Sequence, residues 1–191
     1  MTRFYARHAK RWFDVAIALC AIVCLAPLLL LVALVIRLQD GGPAIFRQSR
    51  VGRFGQPFTL FKFRSMPVST PNLPSAQAGQ VTITPFGRLI RRTNLDELPQ
   101  LFNILRGEMS LIGPRPALAS QAGLLRMREQ ASVMQARPGL TGLAQINSYD
   151  GMSEAEKVEW ERRYVADISF AGDMGIVART FVYLLRPPPV Y

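Results

Sequence analysis

From Val15 to Ile36 the chain runs for 22 residues without a charge, VAIALCAIVCLAPLLLLVALVI. As one helix rising ~1.5 Å per residue it would be roughly 33 Å long, enough to cross a hydrocarbon core. Pro27 interrupts the run and removes the hydrogen bond its N–H would have made to the carbonyl of Val23. The two arms, about 11 and 9 residues, would each be roughly 13–17 Å long, about half a bilayer. Arg3, Arg7, Lys10 and Arg11 precede the run, and Arg37, Arg47, Arg50 and Arg53 follow it. Positive charge marks the cytoplasmic side, and here it marks both flanks. The pattern predicts a helix that breaks at Pro27, dips into the bilayer and returns. A plain kinked transmembrane helix stays open on the residues alone.

Beyond the turn signal Asp40-Gly41-Gly42-Pro43 the period changes. Residues 44–48 and 58–64 are rich in aromatic and branched side chains, with Gly52, Gly55 and Pro57 between them, and predict a β-hairpin that ends Lys62 and Arg64 on one face. Residues 67–85 hold four prolines and no charge, so they read as a loop, either a connector or a lid. Phe86 to Arg92 predicts a short basic helix. Asn94-x-x-Glu97 and Thr93-x-x-Asp96 have the capping-box spacing ahead of a stripe of Leu95, Leu98, Leu101, Phe102 and Leu105. Pro99 makes the start of that helix irregular. The segments 112–116 and 137–142 read as rigid Pro/Gly loops, too stiff for helix or central strand. Leu118 to Gln135 predicts one amphipathic helix, and Ser153 to Tyr164 a charged surface helix. Met174 to Leu185 is either an interfacial or a core helix.

Charge sharpens this picture. Residues 1–93 carry 13 Lys/Arg and 2 Asp/Glu, a net of 13 − 2 = +11, whereas residues 94–191 carry 10 and 11, a net of −1. The first half therefore faces something anionic: phosphate, lipid headgroups or nucleic acid. Two cysteines, Cys20 and Cys24, exclude a disulfide framework, and a single histidine, His8, argues against a His-rich zinc site. The chain carries neither a P-loop nor a Rossmann fingerprint, so any nucleotide is gripped by side chains and rigid loops.

The candidate chemistry centres on Asp96 and Glu97. A helix N-terminus favours both carboxylates as anions. On a helix, adjacent side chains project about 100° apart and cannot share one task. Simple capping is the plain reading of such a pair. Arg88, Arg91 and Arg92 just before it, Lys62 and Arg64 on the hairpin, and Arg115 clamped between two prolines argue for more. An ionised carboxylate among cations can hold Mg²⁺ together with substrate phosphates, or it can attack phosphorus.

Seven motifs then occur in order: Lys10-Arg11-Trp12-Phe13-Asp14, the Pro27-broken run, residues 46–52 (FRQSRVG), 62–66 (KFRSM), 95–101 (LDELPQL), 113–116 (GPRP) and 137–142 (RPGLTG). Together they resemble the bacterial sugar transferases, the monotopic phosphoglycosyl transferases, over about residues 8–185. The chain is similar to the small members of that family. The resemblance implies transfer of a phosphosugar from a UDP-sugar to polyprenyl (undecaprenyl) phosphate with release of UMP. Such a step is the first membrane step of exopolysaccharide, O-antigen, capsule or glycoprotein assembly. It also implies a re-entrant helix at the cytoplasmic face of the bacterial inner membrane. Asp96 would be the nucleophile and Glu97 the Mg²⁺ ligand. Arg91 would contact phosphate, with Lys62 near the dyad and Arg115 facing the nucleotide; Arg64, Arg88 and Arg137 complete the expected substrate-binding set. Two departures from the family pattern are the uncharged 67–85 loop and Leu143, which stands where many members have Trp.

The expected fold is α+β and mostly helical. A membrane region at 1–40 precedes a catalytic region at 41–191, in which interfacial amphipathic helices surround the site. The expected partners are the donor, the lipid acceptor and the bilayer, with a second copy of the chain in a homodimer left open and nucleic acid not expected. Direct transfer in a ternary complex, with Asp96 as base, is an alternative mechanism. A membrane-anchored binder of anionic lipid or nucleic acid, and an inactive scaffold subunit, are alternative functions.

Overall fold

The computed structural model describes residues 5–68, 83–148 and 152–184. A π-helical turn, Tyr5–Ala9, leads into helix α1, Lys10–Asp40. Helix α1 stays helical through Pro27, so the expected break is not a break in secondary structure. A proline in mid-helix removes one backbone hydrogen bond and disfavours α conformation at the residue before it, a cost that can bend a helix without ending it. Gly41 ends the helix in the left-handed conformation (φ 68°), its N–H donating to the Arg37 carbonyl.

Strands β1 (Ile45–Val51) and β2 (Pro57–Phe63) form the expected hairpin, antiparallel with Ile45 opposite Phe63 and Val51 opposite Pro57. The outer edge of β2 is covered by Asn103, whose Oδ1 accepts from Phe61 N (3.1 Å) and whose Nδ2 donates to Thr59 O (2.7 Å). Helix α2, Pro85–Arg92, begins with proline at its first position and is capped by Thr84. A 3₁₀ turn, Leu95–Glu97, and helix α3, Gln100–Arg106, follow.

Of the two stretches expected as rigid loops, 137–142 contains a three-residue strand and 112–116 begins on the last residue of another. Strands β3 (Ser110–Ile112) and β4 (Gly139–Thr141) pair in parallel, a long-range pairing that local composition does not announce. The helix expected over Leu118–Gln135 is shorter: α4 spans Ala122–Gln130, and Ser132 (φ 59°) turns the chain into a 3₁₀ turn, Val133–Gln135. A one-turn helix α5, Leu143–Ile146, precedes α6, Glu154–Ala166, which carries a full capping box from Ser153 and Glu156. Helix α7 is Phe170–Leu184. It buries Asp173 and Ile176 against the body and exposes Phe181 and Val182, so it has one core face and one bare apolar face. The expected loop lies mostly at residues 69–82, outside the described residues.

Helix α1 packs against this body at both ends. Ala18, Ala21 and Ile22 meet Leu60, Leu101, Ile104 and Met109, while Val32 and Ile36 meet Phe63 and Ile90. Lys10 Nζ pairs with Asp173 Oδ2 (2.6 Å), and Leu111 N donates to Asp14 Oδ1 (3.1 Å). The opposite face is bare: Trp12, Leu19, Val23, Leu30, Leu31, Leu34 and Leu38 are all more than half exposed. The helix is long and apolar enough to cross a membrane, with 11% of its most apolar window buried, which is not how a soluble core helix packs.

Candidate active site

Asp96 and Glu97 do not sit in the first turn of an α-helix. Asn94 takes the left-handed conformation (φ 54°) and makes no capping hydrogen bond; Thr93 Oγ1 donates backwards to Leu89 O (2.9 Å). Pro99 has no N–H to give, so the chain makes a 3₁₀ turn before α3 begins at Gln100. Neither expected capping box forms, and both carboxylates are left for other partners.

Glu97 finds two. Its Oε1 accepts from Lys62 Nζ at 2.7 Å and from Arg115 Nη2 at 3.0 Å. Burial would raise its pKa, but Arg115 and Lys62 outweigh burial and hold the carboxyl at about 2. Asp96 is different. It accepts no hydrogen bond from the described residues. Burial pushes it up to about 6, helped by the charge of Glu97 and opposed by Lys62, Arg91 and Arg115. One carboxylate is therefore locked as an anion, and its neighbour is under-solvated and without a hydrogen bond among the described residues, a state in which an oxyanion keeps its nucleophilicity.

Glu97, Lys62 and Arg115 border a cleft enclosing about 240 Å³ of empty space, part of it open to solvent, that Arg50, Gln100 and Leu140 also line; Asp96, next to Glu97 in the chain, is not among its lining residues. Arg50 and Gln100 belong to the motifs but were not among the expected site residues. The alternation along β1, which sets Arg50 on the same face as Gln48, was the available signal. Arg50 Nη1 donates to Pro116 O (3.1 Å) and Nη2 to Gln48 Oε1 (2.6 Å), so it braces the Arg115 loop. Burial first, and then Arg115, lower its pKa to about 10.

The two Gly/Pro motifs hold that loop by backbone contact. Gly139 N donates to Pro114 O (2.8 Å) and Gly113 N to Thr141 O (2.9 Å). A Cβ on Gly139 would lie 2.1 Å from Gly113 N, and one on Gly142 2.1 Å from Gly113 O. Only glycine permits this approach.

The remaining expected residues are spread more widely. Arg91 donates from Nε to Ser65 Oγ (2.8 Å) and acts electrostatically on Asp96. Arg88 is exposed and donates to Ile83 O (3.3 Å). Arg64 is turned to Asp40 at the end of α1, and Arg137 Nε donates to Gly107 O (2.9 Å) past the end of α3. Neither Arg64 nor Arg137 borders the cleft. Leu143 packs with Ile112 and Tyr164 in the core, which accounts for an aliphatic residue there. Among the described residues no group of three or more His, Cys, Asp or Glu could hold a metal ion by itself.

The model of the bacterial sugar transferase family matches residues 5–187. The chain belongs to that family. It is 43% identical over 192 residues to the UDP-glucose:undecaprenyl-phosphate glucose-1-phosphate transferase of Caulobacter vibrioides, covering 95% of this chain and 72% of that protein. It is 40% identical over 171 residues to the uncharacterized sugar transferase EpsL of Bacillus subtilis (90% and 84% covered). It is 37% identical over 191 residues to the exopolysaccharide production protein ExoY of Sinorhizobium fredii (90% and 83% covered). Family membership gives the Glu97 cleft and the neighbouring Asp96 a context of phosphosugar chemistry.

Proposed function

We propose that this chain is a phosphoglycosyl transferase that moves a phosphosugar from a UDP-sugar to a membrane polyprenyl phosphate and releases UMP. The transfer runs through a covalent intermediate on Asp96. The observation that carries this reading is the division within the dyad: Glu97 is held ionised by Lys62 and Arg115, while Asp96 beside it accepts no hydrogen bond from the described residues. The name of the Caulobacter relative makes UDP-glucose the first donor to test.

In the first displacement an Asp96 carboxylate oxygen attacks the sugar-bearing phosphorus, and the bond from that phosphorus to the bridging oxygen breaks. UMP leaves with the electron pair. In the second, a phosphate oxygen of the lipid acceptor attacks the same phosphorus. The Asp96–phosphorus bond breaks and the carboxylate is regenerated. Lys62 and Arg115 supply fixed positive charge where the diphosphate must approach, so less of the barrier goes into reorganising the site. Two adjacent carboxylates, with Glu97 Oε2 not hydrogen-bonded among the described residues, fit an ion that takes one or two protein carboxylates plus substrate phosphates. Mg²⁺ held by Glu97 would offset the repulsion between the attacking anion and the diphosphate.

The site belongs at the cytoplasmic face of the inner membrane, beneath a re-entrant α1. Both ends of α1 pack on one body, and a straight crossing would carry one of those packed faces to the far side. The bare face of α1 and the exposed Phe181 and Val182 of α7 supply apolar surface for the bilayer.

The test is incubation of the enzyme with UDP-glucose carrying a labelled β-phosphate and Mg²⁺, without acceptor. Covalent label and a stoichiometric burst of UMP are expected, discharged on adding polyprenyl phosphate and absent in Asp96→Asn. Turnover near wild type in Asp96→Asn would sink the assignment. Turnover without label would leave Asp96 as the base of a direct transfer.

A further inference from the structure

Away from the cleft, two arginines cap the end of α3 and a third lies beside one of them. Arg11 donates from Nη1 to Ile104 O (2.6 Å) and from Nη2 to Leu105 O (3.1 Å), and Arg137 donates from Nε to Gly107 O (2.9 Å). Arg53, at the hairpin tip, donates from Nε to Gln135 O (2.7 Å), two residues from Arg137. The charge of Arg137 opposes those of both Arg11 and Arg53. None of the three is salt-bridged to a carboxylate among the described residues.

Capping explains part of this arrangement. A helix C-terminus offers free carbonyls and partial negative charge, and one cation satisfies it. Helix α3 has only seven residues, yet Arg11 and Arg137 both sit on its end, and Arg53 lies close enough to Arg137 for their charges to oppose each other. Each guanidinium has five N–H donors, and these bonds use one or two of them. An uncompensated cluster of forked donors is the ordinary receptor for a phosphate.

Position says which phosphate. Arg11 adjoins Trp12, which is 76% exposed, and lies four residues before the charge-free run begins at Val15. Phe54, stacked under Arg53 at 4.5 Å, and Phe102 on α3 are exposed apolar rings of the same region. An exposed Trp marks the headgroup level of a bilayer, and the Phe rings add apolar surface beside it.

We infer that Arg11, Arg53 and Arg137 form a binding site for the headgroup phosphate of an anionic phospholipid, separate from the donor cleft. The site rests on the membrane reading of α1 and not on the chemistry of Asp96. It tethers the hairpin tip and the loop before β4 to the lipid surface, in register with the entry of α1.

The full chain in zwitterionic detergent is titrated with short-chain phosphatidylglycerol or phosphatidylcholine while thermal unfolding is followed. Phosphatidylglycerol is expected to raise the midpoint and phosphatidylcholine to leave it nearly unchanged. Arg53→Gln and Arg137→Gln should each weaken the apparent affinity by about fivefold, near 1 kcal/mol per arginine. Arg126→Gln, an exposed arginine on α4, should leave it unchanged. Equal stabilisation by the two lipids, or an undiminished response in both cluster variants, overturns the site. The same response to inorganic phosphate overturns its assignment to lipid. Covalent labelling of Asp96 is read separately, so failure here leaves that reaction untouched.

Discussion

Lys62 on β2 and Glu97 in the 3₁₀ turn meet at 2.7 Å, although 35 residues separate them in the chain. That ion pair takes up the charge of Glu97 and leaves Asp96 as the carboxylate without a hydrogen bond among the described residues. Its consequences can be measured.

The first concerns pH. With Asp96 raised to about 6, chiefly by burial, the proposed nucleophile is protonated below that pH. The value of kcat/KM should fall about tenfold per unit as pH drops below about 6 and level off above it. A pH–rate profile flat down to 4.5 would remove Asp96 from the rate equation.

Stability should move in the opposite direction. A carboxyl with a folded-state pKa above its unfolded value binds more protons when folded, so stability falls as pH rises from about 4 to about 6. At pH 7.5 the folded enzyme bears that full cost. Asp96→Asn should therefore unfold later than wild type, by about 1–2 kcal/mol after allowance for solvent screening. Chemical denaturation at pH 7.5 and pH 4 tests this, the gain shrinking at the lower pH.

Glu97 carries the reverse sign. Its lowered pKa contributes stability that is present above about 4.5 and lost as pH falls toward about 2. Glu97→Gln leaves Lys62 and Arg115 facing each other without their anion and should cost about 2 kcal/mol at neutral pH. It also removes a charge that raises the pKa of Asp96, so any residual activity should show its acid limb below 6. The profile of the variant, recorded at saturating Mg²⁺, decides this.

Gly139→Ala brings a methyl group onto the backbone of Gly113 and forces β3 and β4 apart. A loss of about 1–3 kcal/mol is expected. Because Arg115 follows Gly113 by two residues, KM for the donor should rise more than kcat falls. Thermal unfolding together with initial-rate kinetics on the purified variant measures both.

Topology is tested in a Cys20→Ser, Cys24→Ser background. Ala6→Cys and Gln56→Cys, exposed positions before and after α1, should both react with an impermeant maleimide in inside-out vesicles and neither in intact cells. Labelling from opposite sides would establish a straight span.

Much of the fold was legible before any coordinates. The charge-free run, the hairpin, the short basic helix at 86–92 and the charged helix from Ser153 all rest on residues within a few positions of each other, where periodicity and turn chemistry act. The ordered motifs likewise named the family and pointed to Asp96, Glu97, Lys62 and Arg115. The capping boxes at Thr93 and Asn94 were misread because spacing cannot show which partner a carboxylate chooses. Lys62 and Arg115 offered Glu97 full charges, whereas the helix start offered only N–H groups. The destinations of Arg64, Arg137 and Arg50, and the parallel pairing of β3 with β4, depend on which carbonyl or carboxylate a distant segment presents. Local pattern carries no such information. Long arginine side chains can reach many acceptors, and chain packing selects among them.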